Sequence, residues 1–155
     1  MKAIILAAGR GSRLPKKISK TPKSLLEINK KTLIERQINI FKSYNINKIA
    51  VVTGFKRHLF KRLKLKEFHN KNWSNTNMVY SLLKAKNWLS SSECIVTYGD
   101  IIFEKKELKK IIKSKYSLSI LSYKNWKNLW KKRFNDPLSD AETFVDSKKN
   151  YLKEI

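Results

Sequence analysis

The chain has 155 residues, 41% of them hydrophobic, which is enough to bury the core of one domain. No apolar run approaches membrane-spanning length, and the single cysteine, Cys94, excludes an internal disulfide and fits a reducing cytoplasm. The net charge of +23 favours anionic partners, but 29 lysines against 6 arginines, spread over nearly every segment, disfavour dedicated nucleic-acid binding. We therefore expect one cytoplasmic domain over residues 1–155 without a membrane partner, and a homodimer remains open.

Strand-like and helix-like segments alternate along the chain, which predicts an α/β domain with a largely parallel sheet. One helix is expected from Leu33 to Ser43, where Thr32 and Glu35 form a capping-box pattern. A second is expected to begin at Thr76, with an apolar stripe that reaches Leu89. The predicted strands are 2–6, 48–53, 66–69, 93–98 and 117–123, and further helical segments are 55–65 and 104–114.

The first strand leads directly into a glycine-bearing basic loop. Gly9 and Gly11 follow the apolar run, Arg10 and Arg13 flank them, and Lys23 comes ten residues later. Glycines allow phosphate oxygens to approach backbone N–H groups, and the cations neutralise phosphate charge. Neither the dinucleotide fingerprint nor the P-loop pattern fits. On the glycines alone, an ordinary loop explains the pattern as well as a phosphate site does.

Two further stretches lie where open α/β sheets bind ligands. Asp100 follows Tyr98 and Gly99 at the end of a buried strand, and is either a turn residue or part of a ligand site. The Asn-rich run around Asn77 either caps a core helix or presents Asn77 and Ser81, one turn apart, to a bound nucleotide.

A third stretch is aromatic and acidic. Trp126 and Trp130 are four residues apart, so on a helix they would share one face, and two tryptophans at that spacing are often part of a core. With Asp140 and Glu142 nearby, the same rings are also suited to a small cationic head group through cation–π and charge contacts.

Taken together, these motifs resemble the nucleotidyltransferases, the superfamily of MobA-like and sugar-phosphate enzymes, and most of all the phosphocholine and 2-aminoethylphosphonate cytidylyltransferase branch. The resemblance rests on Leu6–Leu14 followed by Pro22–Lys23, on Tyr98–Asp100, on the Asn77 helix start and on the tryptophan stretch. It implies a three-layer α/β/α, Rossmann-like fold with a mostly parallel mixed sheet. Relatives continue beyond residue 155 and add a second acidic metal ligand, so we expect a C-terminal truncation. Lys16-Lys17-Ile18 departs from the Pro-Leu-Thr of the family.

The resemblance also implies an activity, the Mg²⁺-dependent transfer of CMP from CTP to a phosphocholine- or 2-aminoethylphosphonate-type acceptor, with release of pyrophosphate. It makes Arg13, Lys23 and Asp100 catalytic, with Asp100 as the metal ligand. Nucleotide contacts are implied for Leu6, Ala7, Ala8, Gly9, Gly11, Ser12, Arg13, Lys23, Gly54, Asn77 and Ser81, and acceptor contacts for Trp126, Trp130, Asp140 and Glu142. The alternatives are a sugar-1-phosphate nucleotidylyltransferase and a catalytically inactive protein that binds nucleotides or nucleic acid.

Overall fold

The computed structural model describes residues 1–11, 15, 20–139, 145–146 and 152–154. The chain divides into two compact units, residues 1–114 and residues 115–155. Four predicted site residues, Ser12, Arg13, Asp140 and Glu142, lie outside the described part of the chain. The single domain over residues 1–155 stays a prediction.

The described residues of the first unit form six strands and four α-helices. The strands are β1 (Lys2–Ala7), β2 (Glu27–Ile28), β3 (Lys31–Thr32), β4 (Ile49–Thr53), β5 (Lys66–His69) and β6 (Cys94–Tyr98). The α-helices are α1 (Leu33–Lys42), α2 (Met78–Leu83), α3 (Lys86–Leu89) and α4 (Lys105–Ile112), and 3₁₀ turns cover Lys23–Leu25 and Arg57–Leu63. The strands predicted for 2–6, 48–53, 66–69 and 93–98 are confirmed to within one residue at either end.

The main sheet has the strand order β5-β4-β1-β6, and all of its neighbouring strands are parallel. Because β1 is hydrogen-bonded on both sides, Ala3, Ile4 and Ile5 are completely buried. A short antiparallel hairpin, β2 with β3, forms a separate two-stranded sheet. Parallel strands all end at the same edge of the sheet, so the segments after β1, β4, β5 and β6 meet there.

Apolar side chains cover both faces of the sheet, because successive residues of a strand point to opposite sides. On one face, Ala3, Ile5 and Val51 pack with residues of α1 and α4, namely Ile34, Ile38, Phe41 and Leu108. On the other face, Ile4, Ala50 and Val52 pack with residues of α2, α3 and the link between them, namely Leu82, Ala85, Trp88 and Leu89. The three-layer α/β/α architecture is therefore confirmed.

The first helix starts as its sequence predicts. Thr32 Oγ1 accepts a hydrogen bond from Glu35 N at 3.3 Å, and Glu35 Oε2 accepts one from Thr32 N at 2.9 Å. This reciprocal capping box satisfies two backbone donors that a helix end otherwise leaves without partners.

The helix predicted from Thr76 is wrong in its start and in its length. The N-cap of α2 is Asn77, whose Oδ1 accepts from Tyr80 N at 3.0 Å. The Thr76 hydroxyl is already used, since it accepts from Asn70 Nδ2 and donates to Asn72 O. Ala85, with φ −101° and ψ 19°, leaves the helical conformation and separates α2 from α3.

The second unit contains α5 (Trp126–Lys131) and the antiparallel pair β7 (Val145–Asp146) and β8 (Leu152–Glu154). Trp126 and Trp130 both lie on α5, whereas the strand predicted for residues 117–123 is wrong, because these residues form no strand. Alternation of apolar side chains fixes the two faces of a strand but supplies no pairing partner, and no described strand pairs with this segment. None of the helices in the described ranges has the length and apolar character needed to span a membrane.

Candidate functional site

Two oppositely charged side chains that are distant in the sequence meet at the carboxyl edge of the main sheet. Lys23 Nζ lies 2.7 Å from Asp100 Oδ2, and the two side chains are 37% and 35% exposed. A carboxylate and an ammonium group are therefore presented together, each still open to solvent and to a ligand.

The close approach depends on Gly99. A Cβ atom at this position would lie 2.9 Å from Ser24 Cβ and 3.1 Å from Leu6 O, so a side chain there would push the neighbouring segments away. Gly99 N also donates to Leu6 O at 2.8 Å, which ties the turn after β6 to the end of β1. The 3₁₀ turn Lys23–Leu25 can thus pack against the Asp100 turn, and this packing brings Lys23 to the carboxylate.

The loop after β1 is open. Gly9 and Arg10 are exposed, and a Cβ atom at Gly9 would meet no described protein atom within 4 Å. Gly11 has a φ of 73°, a left-handed conformation that glycine adopts without strain. Packing within the described protein therefore does not require glycine at position 9, whereas a ligand lying against the backbone would.

The segments after β1 and β4 are held together at Gly54. A Cβ atom on Gly54 would lie 2.6 Å from Ala8 O and would overlap the side chain of Trp73. Phe55 N donates to Ala8 O at 2.9 Å, and the Phe55 and Trp73 rings stack edge to face at 5.3 Å. The Arg10 guanidinium lies 5.6 Å from the centre of the Phe55 ring. The loop bearing Gly9 is thus bordered by an aromatic pair on the β4 side.

Asn70, which the sequence analysis missed, organises the segment between β5 and α2. It is completely buried, and its Nδ2 donates to Thr76 Oγ1 at 2.9 Å and to Ser81 Oγ at 3.0 Å. Its Oδ1 accepts from Asn72 N at 3.0 Å, and Ser81 Oγ donates to Asn77 O at 3.2 Å. Asn77 and Ser81 are therefore brought together as predicted, but the Ser81 hydroxyl is buried in this network, and its contact with a nucleotide stays a prediction.

Residues 3–123 match the MobA-like NTP transferase domain family. The chain belongs to this family. It is 39% identical to the CTP:phosphoglutamine cytidylyltransferase of Campylobacter jejuni, over 92% of this chain and 60% of that protein. It is 34% identical to the choline-phosphate cytidylyltransferase of Streptococcus pneumoniae, over 96% of this chain and 65% of that protein.

A solved structure agrees with these sequence matches. That of CTP:phosphocholine cytidylyltransferase from Streptococcus pneumoniae superposes with a TM-score of 0.60 at 38% identity, covering 64% of this chain and 44% of that one. The chain thus spans less than two thirds of the length of these relatives. The family membership is confirmed, and the relatives named as cytidylyltransferases agree with the branch that the motifs indicate.

The NTP transferase domain has a charged cluster on its edge strand β5, which the sequence analysis also missed. Arg57 donates to Glu67 through Nη2 at 2.8 Å and Nε at 3.1 Å, its Nη1 lies 3.1 Å from His69 Nδ1, and the Thr53 hydroxyl donates to Glu67. Burial acts to raise the pKa of Glu67, but the hydrogen bonds from Arg57 and Thr53 hold that pKa below its ordinary value. Burial, together with the Arg57 charge, lowers the pKa of His69.

In the second unit, the predicted acceptor residues Trp126 and Trp130 lie on one helix, α5, as the spacing indicates. The ring of Trp130 is contacted by a cation of the chain itself, because the Arg133 guanidinium lies 5.0 Å from the ring centre. An acceptor role for either tryptophan stays a prediction.

The carboxylate of Asp100 is a group at this edge of the sheet that could bind a magnesium ion. Among the described residues, no group of three or more His, Cys, Asp or Glu side chains could form a complete metal site. A partly exposed single carboxylate beside a basic glycine loop suits Mg²⁺, which proteins often hold through one or two carboxylates together with substrate phosphates and water. The donor set thus fits a metal that arrives with a triphosphate.

Proposed function

We propose that this NTP transferase domain is part of a cytidylyltransferase that moves CMP from CTP to a small phosphorylated or phosphonate acceptor. The observation that carries the proposal is the contact of 2.7 Å between Lys23 and Asp100, at the edge of the sheet where the open Gly9 loop also lies. The relatives named for CTP:phosphoglutamine and choline-phosphate cytidylyltransfer support CTP as the donor and a phosphorylated acceptor.

The proposed reaction is an in-line displacement at the α-phosphorus of CTP. An acceptor oxygen forms the new bond to phosphorus, and the bond to the bridging oxygen breaks, so that its electron pair leaves with pyrophosphate. The acceptor oxygen is already ionised at neutral pH, and no general base is needed. The barrier falls through alignment of the reactants and neutralisation of charge on the phosphates.

Residues of the chain would supply that alignment and charge. Lys23 has its ammonium at the sheet edge and would bind phosphate oxygens. The backbone N–H groups around Gly9 and Gly11 would approach the triphosphate through space that no described side chain fills. Arg13, outside the described residues, is proposed as a second fixed cation.

We further propose that Asp100 holds Mg²⁺. When bound, the ion would supply positive charge to the reacting phosphate and to the departing pyrophosphate. Because Asp100 is paired with Lys23, the triphosphate and its metal would compete with this ion pair, the phosphates for Lys23 and the metal for Asp100.

Binding of nucleotides tests the first part of the proposal. Isothermal calorimetry with CTP, UTP, ATP and GTP, in the presence of Mg²⁺, should show the tightest binding for CTP. Undetectable binding of all four triphosphates at millimolar concentration would reject the nucleotide site.

Turnover tests the rest. Pyrophosphate release by the full-length protein should depend on Mg²⁺ and on an acceptor chosen from phosphocholine, phosphoglutamine, 2-aminoethylphosphonate and glucose-1-phosphate. An acceptor that carries an amino or ammonium group should react faster than the sugar phosphate, whereas the reverse order would support the sugar-1-phosphate alternative. The variant that tests the role of Asp100 is Asp100→Asn, which removes one charge and little volume. We expect it to fold normally and to lose metal-dependent turnover.

A further inference from the structure

A buried glutamine on α1 reaches the turn that carries Asp100. Gln37 is 1% exposed and lies on the apolar face of the helix, between Ile34 and Phe41. Its Nε2 donates to Tyr98 O and to Ile101 O, in both cases at 2.8 Å. These two carbonyl groups lie on either side of Gly99 and Asp100.

The orientation of the Gln37 amide follows from its partners. Both neighbours are carbonyl oxygens, which can only accept, so the nitrogen must face them. Gln37 Oε1 accepts no hydrogen bond from the described residues. A buried amide is costly unless it is hydrogen-bonded, so the two N–H bonds are what offsets its burial.

The turn is therefore anchored at both ends to a helix that belongs to the core. The Tyr98 carbonyl precedes Asp100 and the Ile101 carbonyl follows it, so both hydrogen bonds restrict the backbone that carries the carboxylate. Gly99 N, bonded to Leu6 O, adds a third anchor, to β1. A fixed backbone sets the direction of the Cα–Cβ bond of Asp100, so only rotation about the side-chain bonds is left to place the carboxylate.

We propose that Gln37 is a positioning residue, which holds the Asp100 carboxylate where a divalent cation on the triphosphate can bind it. This inference rests on the proposed function, in which Asp100 is the metal ligand. Gln37 itself would touch neither the metal nor the nucleotide.

The variant that tests the inference is Gln37→Met, which keeps the length of the side chain and removes both donors. The matched control is Ile38→Ala, which removes core packing from the next position of the same helix and breaks no hydrogen bond to the turn. If Gln37→Met does not fold, Gln37→Asn takes its place, because its shorter amide cannot bond both carbonyls in the present geometry.

The first measurement follows the turn in the ligand-free protein. Amide hydrogen exchange of Gly99, read by NMR relative to that of Val51 in the core, should rise about tenfold in Gln37→Met, because the turn opens more often once the Tyr98 and Ile101 carbonyl groups lose their hydrogen bonds to Gln37. In Ile38→Ala the ratio of the two rates should stay within about twofold of the wild type, since that variant loosens the whole core. An unchanged ratio in Gln37→Met overturns the anchoring role of Gln37.

The second measurement follows the metal. Electron paramagnetic resonance of free Mn²⁺, corrected for the Mn²⁺ that CTP binds without protein, gives the affinity of the protein–CTP complex for the ion. Calorimetry in EDTA gives the affinity for CTP alone. We expect Gln37→Met to weaken Mn²⁺ binding about tenfold, with the affinity for metal-free CTP within about twofold of the wild type. Ile38→Ala should leave both affinities within about twofold.

The outcomes separate the two proposals. A loosened turn with wild-type Mn²⁺ affinity overturns the functional role of Gln37, and so does equal weakening of Mn²⁺ binding in Ile38→Ala. A wild-type protein that binds CTP but takes up no Mn²⁺ refutes the metal assignment of Asp100, and with it the functional role, while the Gly99 exchange rate still decides the anchoring.

Discussion

Two glycines at the candidate site have opposite surroundings, and this contrast gives a sharp prediction. A methyl group on Gly9 would meet no described protein atom within 4 Å, whereas one on Gly54 would lie 2.6 Å from Ala8 O and overlap Trp73. Neither glycine has a left-handed φ, so alanine at either position changes the contacts without forcing a strained backbone. Gly9→Ala and Gly54→Ala therefore form a matched pair.

The structure sets the expected magnitudes for stability. Gly54→Ala forces a close contact with rigid backbone, and overpacking of this kind costs about 1–3 kcal/mol of unfolding free energy. Gly9→Ala adds no contact and lowers the entropy of the unfolded chain, so the protein should be unchanged or stabilised by up to about 1 kcal/mol.

Nucleotide binding should follow a different order. If CTP lies against the backbone of the Gly9 loop, the methyl group of Gly9→Ala occupies space that the ligand needs. We expect the affinity for CTP to fall at least tenfold, or about 1.4 kcal/mol, although the fold is as stable as before. Loss of binding without loss of stability is the result that a purely structural role for Gly9 would not produce.

Urea unfolding followed by tryptophan fluorescence gives the stabilities, and calorimetry with CTP and Mg²⁺ gives the affinities. A Gly9→Ala protein that binds CTP as tightly as the wild type would refute the placement of the ligand over this loop. Wild-type stability in Gly54→Ala would refute the close approach of the segments after β1 and β4.

Three further predictions follow from contacts around the site. In a double-mutant cycle of Lys23→Met and Asp100→Asn, urea unfolding should give a coupling free energy of at most about 1 kcal/mol, because both side chains are more than one third exposed. A coupling free energy above about 2 kcal/mol would instead show that the ion pair stabilises the fold. Asn70→Ala removes the three hydrogen bonds of a completely buried side chain and should lower the unfolding free energy by about 1–3 kcal/mol, against less than about 0.5 kcal/mol for the exposed control Asn75→Ala. The folded-state pKa of Glu67 lies below its ordinary value of 4.5, so the ionised carboxylate stabilises the fold above pH 4.5, and this stabilisation is lost as the pH falls through the folded-state pKa. The difference in unfolding free energy between the wild type and Glu67→Gln should therefore shrink below pH 4.5 in urea titrations. A difference that grows on acidification would contradict the lowered pKa.

Much of the architecture could be predicted from local patterns. The apolar runs that became β1 and β4 and the alternation of strand and helix are consequences of side-chain periodicity, which each segment carries by itself. The capping box of Thr32 and Glu35 is also local, since its partners are three residues apart. The approximate position of the site could be predicted as well. Parallel strands end at one edge of the sheet, and Gly9 follows β1 while Asp100 follows β6.

Local patterns did not predict the start of α2 correctly, because more than one residue could cap this helix. Thr76 and Asn77 are both good N-cap residues, and the sequence offered no reason to prefer Asn77. Asn77 is the N-cap because the Thr76 hydroxyl accepts a hydrogen bond from Asn70, which follows β5. The strand predicted for residues 117–123 is wrong for a related reason. A strand forms only when a second strand pairs with it, and the alternation within one segment does not show whether such a partner exists.

The residues that position the site were decided by tertiary structure alone. Gln37 breaks the apolar stripe of α1, and this break is a signal that a sequence can show, but its meaning depends on two carbonyl groups more than sixty residues away. Lys23 and Asp100 could each be singled out by motif, yet their contact exists only because Gly99 leaves room for Ser24. The sequence by itself determined the position of β1, β4, β5 and β6 and where these strands end, because the apolar runs that form them depend on neighbouring residues. Which side chains meet at those ends was decided by the packing of distant segments.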